Sequence, residues 1–453
     1  MQWNLFLYGI RKGKGMKLIV KKVRNFIKLS SPPQLIALGF AFVILMGALL
    51  LMTPMSVKEG AKVTFIDALF TSTSAVCVTG LIAIDTADHF TVFGRTVVAL
   101  LIQIGGLGVT CVGVSLILAA GKRVGFKART LIKESWNVSG YNGLVKLVKS
   151  VLKLTLFFEV IGMLLSFLVF VQDYPPLEAL GISAFHSIAA FNNSGFDILG
   201  GLRNLTPYQN DVLLNLVTCG LIIFGGIGFL VIIDVKNKKC FKKLAFHSKA
   251  VITVSLFLIV IGTILLKMTE DITWLGAFFH SVSARTAGFS TYTLGDFTSS
   301  GLFVLIILMF IGASPGSTGG GIKTSTLFVM TNTIKSVMTH QHCTAFKRKI
   351  ADSVIMQAFV VFFLSLLVVI LSTFLLTIVE PDFTFIQLLF ESTSAFGTVG
   401  LSTGITPYLS DVGKIIIIAT MYIGRLGALT IATLGAYKEP KTAVYSTENI
   451  SIG

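Results

Sequence analysis

The sequence predicts an all-α integral membrane protein made of four repeated units, each with two membrane spans flanking a shorter re-entrant segment. Three observations carry this prediction: the composition, the spacing of the apolar stretches, and a motif that recurs four times. Of 453 residues, 54% are hydrophobic and only 13% are charged, against about 25% charged in a soluble domain. A mean hydropathy of +0.85 makes a bilayer the expected solvent. The net charge of +16 does not argue for nucleic acid, because the basic residues stand in short clusters between apolar runs, as in cytoplasmic loops. Cys77, Cys111, Cys219, Cys240 and Cys343 are scattered without C-x-x-C spacing, which supports neither a disulfide framework nor a zinc site. The first apolar run is too long for a signal-peptide core and lacks a small-residue cleavage site, so it reads as a retained span.

In chain order, a basic segment at 1–34 precedes repeat 1 at 35–120, with spans at 35–53 and 93–120 around a short segment at 64–76. A linker at 121–150 leads to repeat 2 at 151–235, with spans at 151–171 and 211–235 and a short segment at 178–191. A linker at 236–249 leads to repeat 3 at 250–338, with spans at 250–268 and 301–338, a short segment at 272–284 and an interruption at 312–324. A linker at 339–351 leads to repeat 4 at 352–436, with spans at 352–379 and 412–436 and a short segment at 384–396; a tail at 437–453 follows. A span needs about 20 apolar residues, so the four short segments read as re-entrant half-helices. Amphipathic surface helices are the alternative, but they would not explain the shared motif after each one.

Charge sets the orientation. Lys/Arg clusters lie before the first span (Arg11 to Lys28) and at Lys122 to Lys153, Lys236 to Lys249 and Lys335 to Lys349. The alternate connections carry Asp85, Asp88, Asp173, Glu178, Asp211, Glu270, Asp271, Glu380, Asp382 and Asp411. The bias places both termini in the cytoplasm and makes all four short segments enter from outside.

The repeat is visible in the residues themselves. FIDALFTSTSAVCVTGL at 65–81 aligns without a gap to FIQLLFESTSAFGTVGL at 385–401. AFHSIAAFNNSGF at 184–196 and FFHSVSARTAGF at 278–289 keep the same plan, the latter one residue shorter. Each short helix thus ends in a polar stretch closed by Gly80, Gly195, Gly288 or Gly400. The span that follows carries its own glycines: GGLG at 105–108, GGIG at 225–228, GASPGSTGGG at 312–321 and GRLG at 424–427.

Non-helical backbone at membrane depth is tolerated only inside protein or along a watery cavity. Four such stretches meeting around one axis would offer carbonyl oxygens in place of a cation's water, whose loss otherwise costs tens of kcal/mol. Glycine permits the positive φ that turns carbonyls inward without a Cβ clash. Each short helix aims its negative C-terminal end at the same point, and Asp67 suits the positive end of the first. The residues therefore imply one central cation pore. Glycines used only for close helix packing are the competing reading, and for GGLG and GGIG that reading, or packing of helix on filter, is the preferred one.

On these residues the chain, from about residue 30 onward, resembles the membrane subunit of the Ktr/Trk/HKT superfamily of potassium transporters, the bacterial KtrB type above all. The resemblance rests on VCVTGL, NNSGF, RTAGF and TVGL as an ordered set. It implies a selectivity filter of Val76, Cys77, Val78, Thr79 and Gly80; Asn192, Asn193, Ser194 and Gly195; Arg285, Thr286, Ala287 and Gly288; and Gly397, Thr398, Val399 and Gly400. It further implies K+ as substrate at the four glycines, with Gly80 marking the potassium-selective branch. It also implies a homodimer in the cell membrane and a separate cytosolic RCK-type nucleotide-binding ring. No G-x-G-x-x-G opens a βαβ unit in this chain, so any nucleotide belongs to that other subunit, and no cofactor is expected here.

The interruption of the sixth span comprises Gly312, Ala313, Ser314, Pro315, Gly316, Ser317, Thr318, Gly319, Gly320, Gly321 and, after Ile322, Lys323. Pro315 removes a backbone donor and the glycines disfavour a helix, so a low-stability segment across the ion path suits a gate, as the resemblance also implies; a rigid kink is the alternative. GSTGGGIKT is not a phosphate loop, since Ile322 separates Gly321 from Lys323. Arg425, deep in the last span, is expected to face the cavity and meet the loop's carbonyls or repel cations, with pairing to a buried carboxylate as the alternative. Glu159 and Glu391 read as structural hydrogen-bond partners, His186 and His280 as packing residues, and Asp234 as a contact for a regulatory partner. His340, His342 and Cys343 read as part of a solvated loop, since nothing completes a tetrahedral metal set. An alternating-access cation symporter would need inverted repeats, and a sodium-permeable transporter is the other alternative. No paired acid/base constellation suggests an enzyme.

Overall fold

The computed structural model describes residues 31–433 except 137–139 and 142. Most of the expected basic segment 1–34, the last residues of repeat 4 and the whole tail 437–453 lie outside the described residues. The chain runs α1 (Pro32–Leu51), α2 (Phe65–Cys77), a one-turn α3 (Thr86–His89), α4 (Val92–Leu107), α5 (Val109–Ala119) and α6 (Phe126–Ser135). Then come α7 (Leu144–Phe170), α8 (Pro176–Phe191), α9 (Val212–Gly226), α10 (Phe229–Lys238), α11 (Phe246–Thr269), α12 (Trp274–Ser283), α13 (Ser299–Phe310) and α14 (Thr324–Met338). A hairpin of β1 (Thr344–Ala345) and β2 (Arg348–Lys349) precedes α15 (Asp352–Val379), α16 (Phe385–Gly397), α17 (Asp411–Leu426) and α18 (Ala428–Thr433).

Many helix starts are closed by side chains, which satisfies backbone N–H groups that an apolar solvent cannot. Thr64 and Thr273 accept the first free N–H groups of α2 and α12, and Thr384 forms a reciprocal capping box with Gln387 on α16. Thr91, Asp211, Thr298 and Ser410 do the same for α4, α9, α13 and α17. Among the described residues only α1, α7, α11 and α15 are each long and apolar enough to cross a bilayer alone, and 17% to 39% of their apolar windows is buried. Phe42, Leu156, Leu256 and Phe363 on these helices are all more than 60% exposed, so the outer wall is apolar and its solvent is lipid. This is a multi-pass membrane protein.

The short helices lie inside that wall. Ser72, Ser187 and Ser281, at matched places on α2, α8 and α12, donate to Ile44 O, Glu159 O and Ile259 O at 2.7, 2.6 and 2.8 Å. The long helix opposite presents Gly47, Gly162 or Gly262, where a β-carbon would come within 2.4 to 2.5 Å of the serine oxygen. In the fourth unit Ser392 of the short helix donates instead to Leu388 O of its own helix at 2.8 Å, and Ser372 of α15 pairs with Thr420 of α17 at 2.8 Å.

The second helix of each unit departs from expectation. The stretches 93–120, 211–235 and 412–436 are not single straight spans. Helix α4 turns by 100° into α5 and α9 by 96° into α10, while α17 stops at Leu426 before α18. Gly108, Gly228 and Gly427 break them, with φ of 84°, 96° and 89°, outside the helical region. Just before each break, Gly105, Gly225 and Gly424 press on Val76 O, Phe191 O and Phe396 O, where a β-carbon would come within about 2 Å. The glycine clusters therefore pack helix on short-helix terminus, as expected, and also end the helix, which was not.

Candidate functional site

The polar stretches after the short helices meet. A β-carbon on Gly80 would lie 2.1 Å from Ser194 O and 3.1 Å from Gly195 Cα; one on Gly195 would lie 2.7 Å from Ala287 O and 2.9 Å from Gly288 Cα. One on Gly288 would lie 2.3 Å from Val399 O and 3.0 Å from Gly400 Cα, and one on Gly400 returns to Thr79 O at 2.1 Å and Gly80 Cα at 2.9 Å. The contacts close a ring in chain order. Real Cβ atoms do not approach so closely, so each position accepts hydrogen alone.

Backbone geometry repeats around the ring. The glycines have φ of 90°, 65°, 79° and 97°, and two residues earlier Val78, Asn193, Thr286 and Thr398 have φ of 57°, 58°, 76° and 50°. Such values in β-branched residues are strained and persist only where the surroundings hold them. Repeat 3 keeps this spacing although it is one residue shorter; the loss is absorbed where α12 ends at Ser283, whose carbonyl takes Ala287 N at 2.9 Å.

Three serines hold the turns. Gly80 N donates to Ser74 Oγ at 3.0 Å while that hydroxyl donates to Leu81 O at 2.8 Å. Ser394 Oγ takes Gly400 N at 3.0 Å, and Ser283 Oγ donates to Phe289 O at 2.5 Å. The second unit has Ala189 in that place and uses Asn204 from outside: its Nδ2 donates to Gly195 O at 3.3 Å and its Oδ1 accepts Ser290 N at 3.2 Å. Sequence reading missed these residues, although the repeated Ser-Thr-Ser-Ala run contained the signal for two of them.

The predicted site residues separate into backbone and side-chain contributors. Val76, Cys77, Thr79, Ser194, Ala287, Gly397 and Val399 are buried about the ring. The Asn193 carboxamide lies 3.3 Å from Thr286 Oγ1. Asn192 and Arg285 point away. Asn192 Nδ2 donates to Gln103 Oε1 at 2.9 Å and Glu159 Oε1 at 3.1 Å, and an Arg285 Nη donates to Ser255 Oγ of α11 at 3.0 Å. Glu391, buried on α16, accepts from Ser402 Oγ and, at 3.1 Å, from Thr406 Oγ1, bracing the segment beyond Gly400. His186 pairs with Thr218 Oγ1 at 2.9 Å and His280 with Gly276 O at 2.9 Å.

Outside the ring lies a vestibule of about 460 Å³, lined by Gly80, Gly288 and Gly400 with Ser290, Ser402 and Thr403. On the opposite side runs the 312–323 segment between α13 and α14. Ser314 N donates to Gly226 O at 3.0 Å, Gly316 O accepts Phe229 N at 3.0 Å, and Thr318 N donates to Gly225 O at 3.3 Å. Gly320 N reaches Thr398 Oγ1 at 2.9 Å, and a β-carbon on Gly319 would strike Thr286 Oγ1. Gly312 packs on Gly320 and Gly321, Ala313 is buried, and Ser317 Oγ closes a turn onto Ser314 O at 2.6 Å beside the half-buried Pro315. The segment is pressed against the side of the ring opposite the vestibule.

Two cations hold it. Lys323 Nζ donates to Gly319 O at 2.7 Å and Gly320 O at 3.1 Å. Arg425 donates to Thr318 O and to Gly105 O, so one guanidinium joins the fourth unit to the third and the first. Among the described residues the ion pairs are Asp67–Lys414 and Asp234–Lys238, and Arg425 is in neither. Asp234 is also engaged by Ala245 N and Ser248 Oγ at 2.8 and 2.7 Å, which takes up the oxygens expected to face a regulatory partner. No group of three metal-ligating side chains occurs among the described residues, and Cys343, expected in a solvated loop, is buried.

Comparison with known proteins agrees with this architecture. The chain is 38% identical over 452 residues to the Ktr system potassium uptake protein B of Bacillus subtilis (strain 168), covering 97% of this chain and all of that one. It is 36% identical over 456 residues to the potassium/sodium uptake protein NtpJ of Enterococcus hirae, covering 97% and 100%. The crystal structure of the potassium transporter TrkH from Vibrio parahaemolyticus superposes with a TM-score of 0.72 at 18% identity, over 90% of this chain and 86% of that one. The sequence profile described as TrkH, cation transport protein, matches residues 13–270 and 250–446. The chain belongs to the TrkH family of cation transport proteins, which are transporters and not enzymes.

Proposed function

We propose that this protein takes up potassium through a channel-like pore whose selectivity filter is the ring at Gly80, Gly195, Gly288 and Gly400. The observation that carries the reading is the closed succession of glycine contacts, in which each of the four glycines meets the backbone of the next unit. Carbonyls there can replace a potassium ion's hydration, and the C-terminal ends of α2, α8, α12 and α16 add negative potential. The 312–324 segment, tied by Lys323 and Arg425, is the gate on the inner side. In this reading the broken pairs count as spans, giving eight crossings and four re-entrant helices, with both termini cytoplasmic. A homodimer and a cytosolic RCK-type nucleotide-binding ring complete the working assembly, consistent with relatives named as parts of a Ktr system.

A second reading has support of its own: one relative is named a potassium/sodium uptake protein, so sodium permeation stands as the alternative. The deciding experiment is potassium or rubidium uptake into vesicles reconstituted with this chain, with sodium as competitor. Uptake that millimolar sodium does not suppress supports the potassium filter. Equal sodium uptake selects the second reading, and no flux of either ion overturns both.

A further inference from the structure

Two linkers far apart in sequence fold into one cationic cleft. Asp234, on α10, accepts from Lys238 Nζ, Ala245 N and Ser248 Oγ, all within 2.8 Å, and so fixes the turn at 239–245. Lys249 Nζ donates to Lys242 O at 2.7 Å, which holds that turn from its other side. The second linker supplies the hairpin, whose central residues Phe346 and Lys347 both have positive φ, 49° and 62°. A tight turn of this type ordinarily carries Asn-Gly, so these bulky residues are kept there by their surroundings. Phe346 stacks on Phe328 at 5.9 Å with a 4° interplanar angle and meets Phe246 edge-on at 6.1 Å.

The result is a cleft of about 390 Å³ lined by Lys238, Lys242, Lys243, Lys249, Phe346 and Arg348, among others. No acidic side chain lines it. Lys238 is neutralised by Asp234; Lys242, Lys243, Lys249 and Arg348 have no acidic partner among the described residues. Apolar surface adjoins the charge, since Val235, Phe241 and Phe346 are each at least 40% exposed. The cleft sits where α10 ends and the membrane-crossing α11 begins. By charge bias that is the inner boundary of the bilayer.

We propose that this cleft binds the phosphodiester headgroup of an anionic lipid of the inner leaflet. Several cations without counter-ions, set in a small cleft between helix ends and rimmed by exposed rings, match a phosphate on an acyl glycerol. The proposal is independent of the filter and gate, and needs only that the 236–249 linker face the cytoplasm.

The test uses the full chain in a neutral detergent, titrated with phosphatidylglycerol or phosphatidylcholine, with retained lipid counted by native mass spectrometry. One tightly held phosphatidylglycerol per chain is expected. The triple variant K242Q/K243Q/R348Q should hold it roughly a hundredfold more weakly. The triple variant K122Q/R123Q/R129Q, which removes as much charge elsewhere, should hold it as the parent does. R348Q alone, an exposed hairpin change, should give an intermediate loss and guards against misfolding of the triple variant. Retention unchanged in the cleft variants, or lost equally in the control, overturns the proposal. Displacement by equimolar inorganic phosphate makes this a soluble-anion site, and capture of polyglutamate with no preference for the lipid makes it an acidic-protein site; either result overturns it too.

Discussion

At the ring glycines even a methyl group has no place. On Gly80 it would overlap Ser194 O, and the chain there already stands at a φ of 90° that side chains disfavour. Gly80→Ser should therefore open the ring locally and lower discrimination of rubidium over sodium by about tenfold, equivalent to about 1.4 kcal/mol. Paired tracer fluxes in vesicles measure this, and an unchanged ratio would remove Gly80 from the filter. The serines behind the ring make a second residue-scale prediction. Ser74→Ala leaves both Gly80 N and Leu81 O without their partner, in a site where nothing else can satisfy them. An unsatisfied buried group costs about 1–3 kcal/mol, so a lower melting temperature and a reduced selectivity ratio should appear together. Stability lost with selectivity intact would make the serine a scaffold only.

At the scale of elements, the four second helices solve one problem in two ways. Three are stopped by a left-handed glycine just beyond the short-helix terminus, and the third unit instead inserts the 312–323 segment. That segment is held by backbone bonds to α9 and α10, by Thr398, and by carbonyl contacts to Lys323 and Arg425. In the proposed gating, these polar bonds on glycine-rich backbone are what opening has to break. Deleting Gly316–Gly321 should raise unregulated flux, and an unaltered rate would deny the segment a gating role. Arg425→Ala should likewise raise flux, because it frees Thr318 O and removes a positive charge beneath the ring. Arg425→Lys keeps the charge but not the two-pronged reach, so a flux equal to that of the alanine variant assigns the effect to bridging geometry, and a parental flux assigns it to charge.

At the scale of the whole molecule, the first and fourth units must be joined for the ring to close. Lys414 on α17 meets Asp67 at the start of α2 at 2.8 Å, with both side chains about 11% exposed. The bond links residues 347 positions apart. Lys414→Met strands a buried carboxylate and should destabilise the protein by about 3–5 kcal/mol, whereas Asp67→Asn with Lys414→Met should recover most of that loss. Thermal unfolding in detergent checks the pair; equal losses in the single and double variants would mean that packing, not charge, closes the ring.

Legible from the residues alone are the membrane solvent, the short helices and the glycine that closes the polar stretch after each one. Each of these follows from local constraints: apolar length, a repeated motif, and backbone angles that only glycine adopts freely. Only in the fold does it emerge that the ring closes in chain order, and that Asn192 and Arg285 turn away from it. The same holds for the bends of the second helices, the reach of Arg425 to carbonyls of two other units, and the cationic cleft formed by two linkers. Those features are set by what packs against a residue from a distant part of the chain. A one-dimensional pattern records which groups require a partner, and only the folded chain brings one within reach.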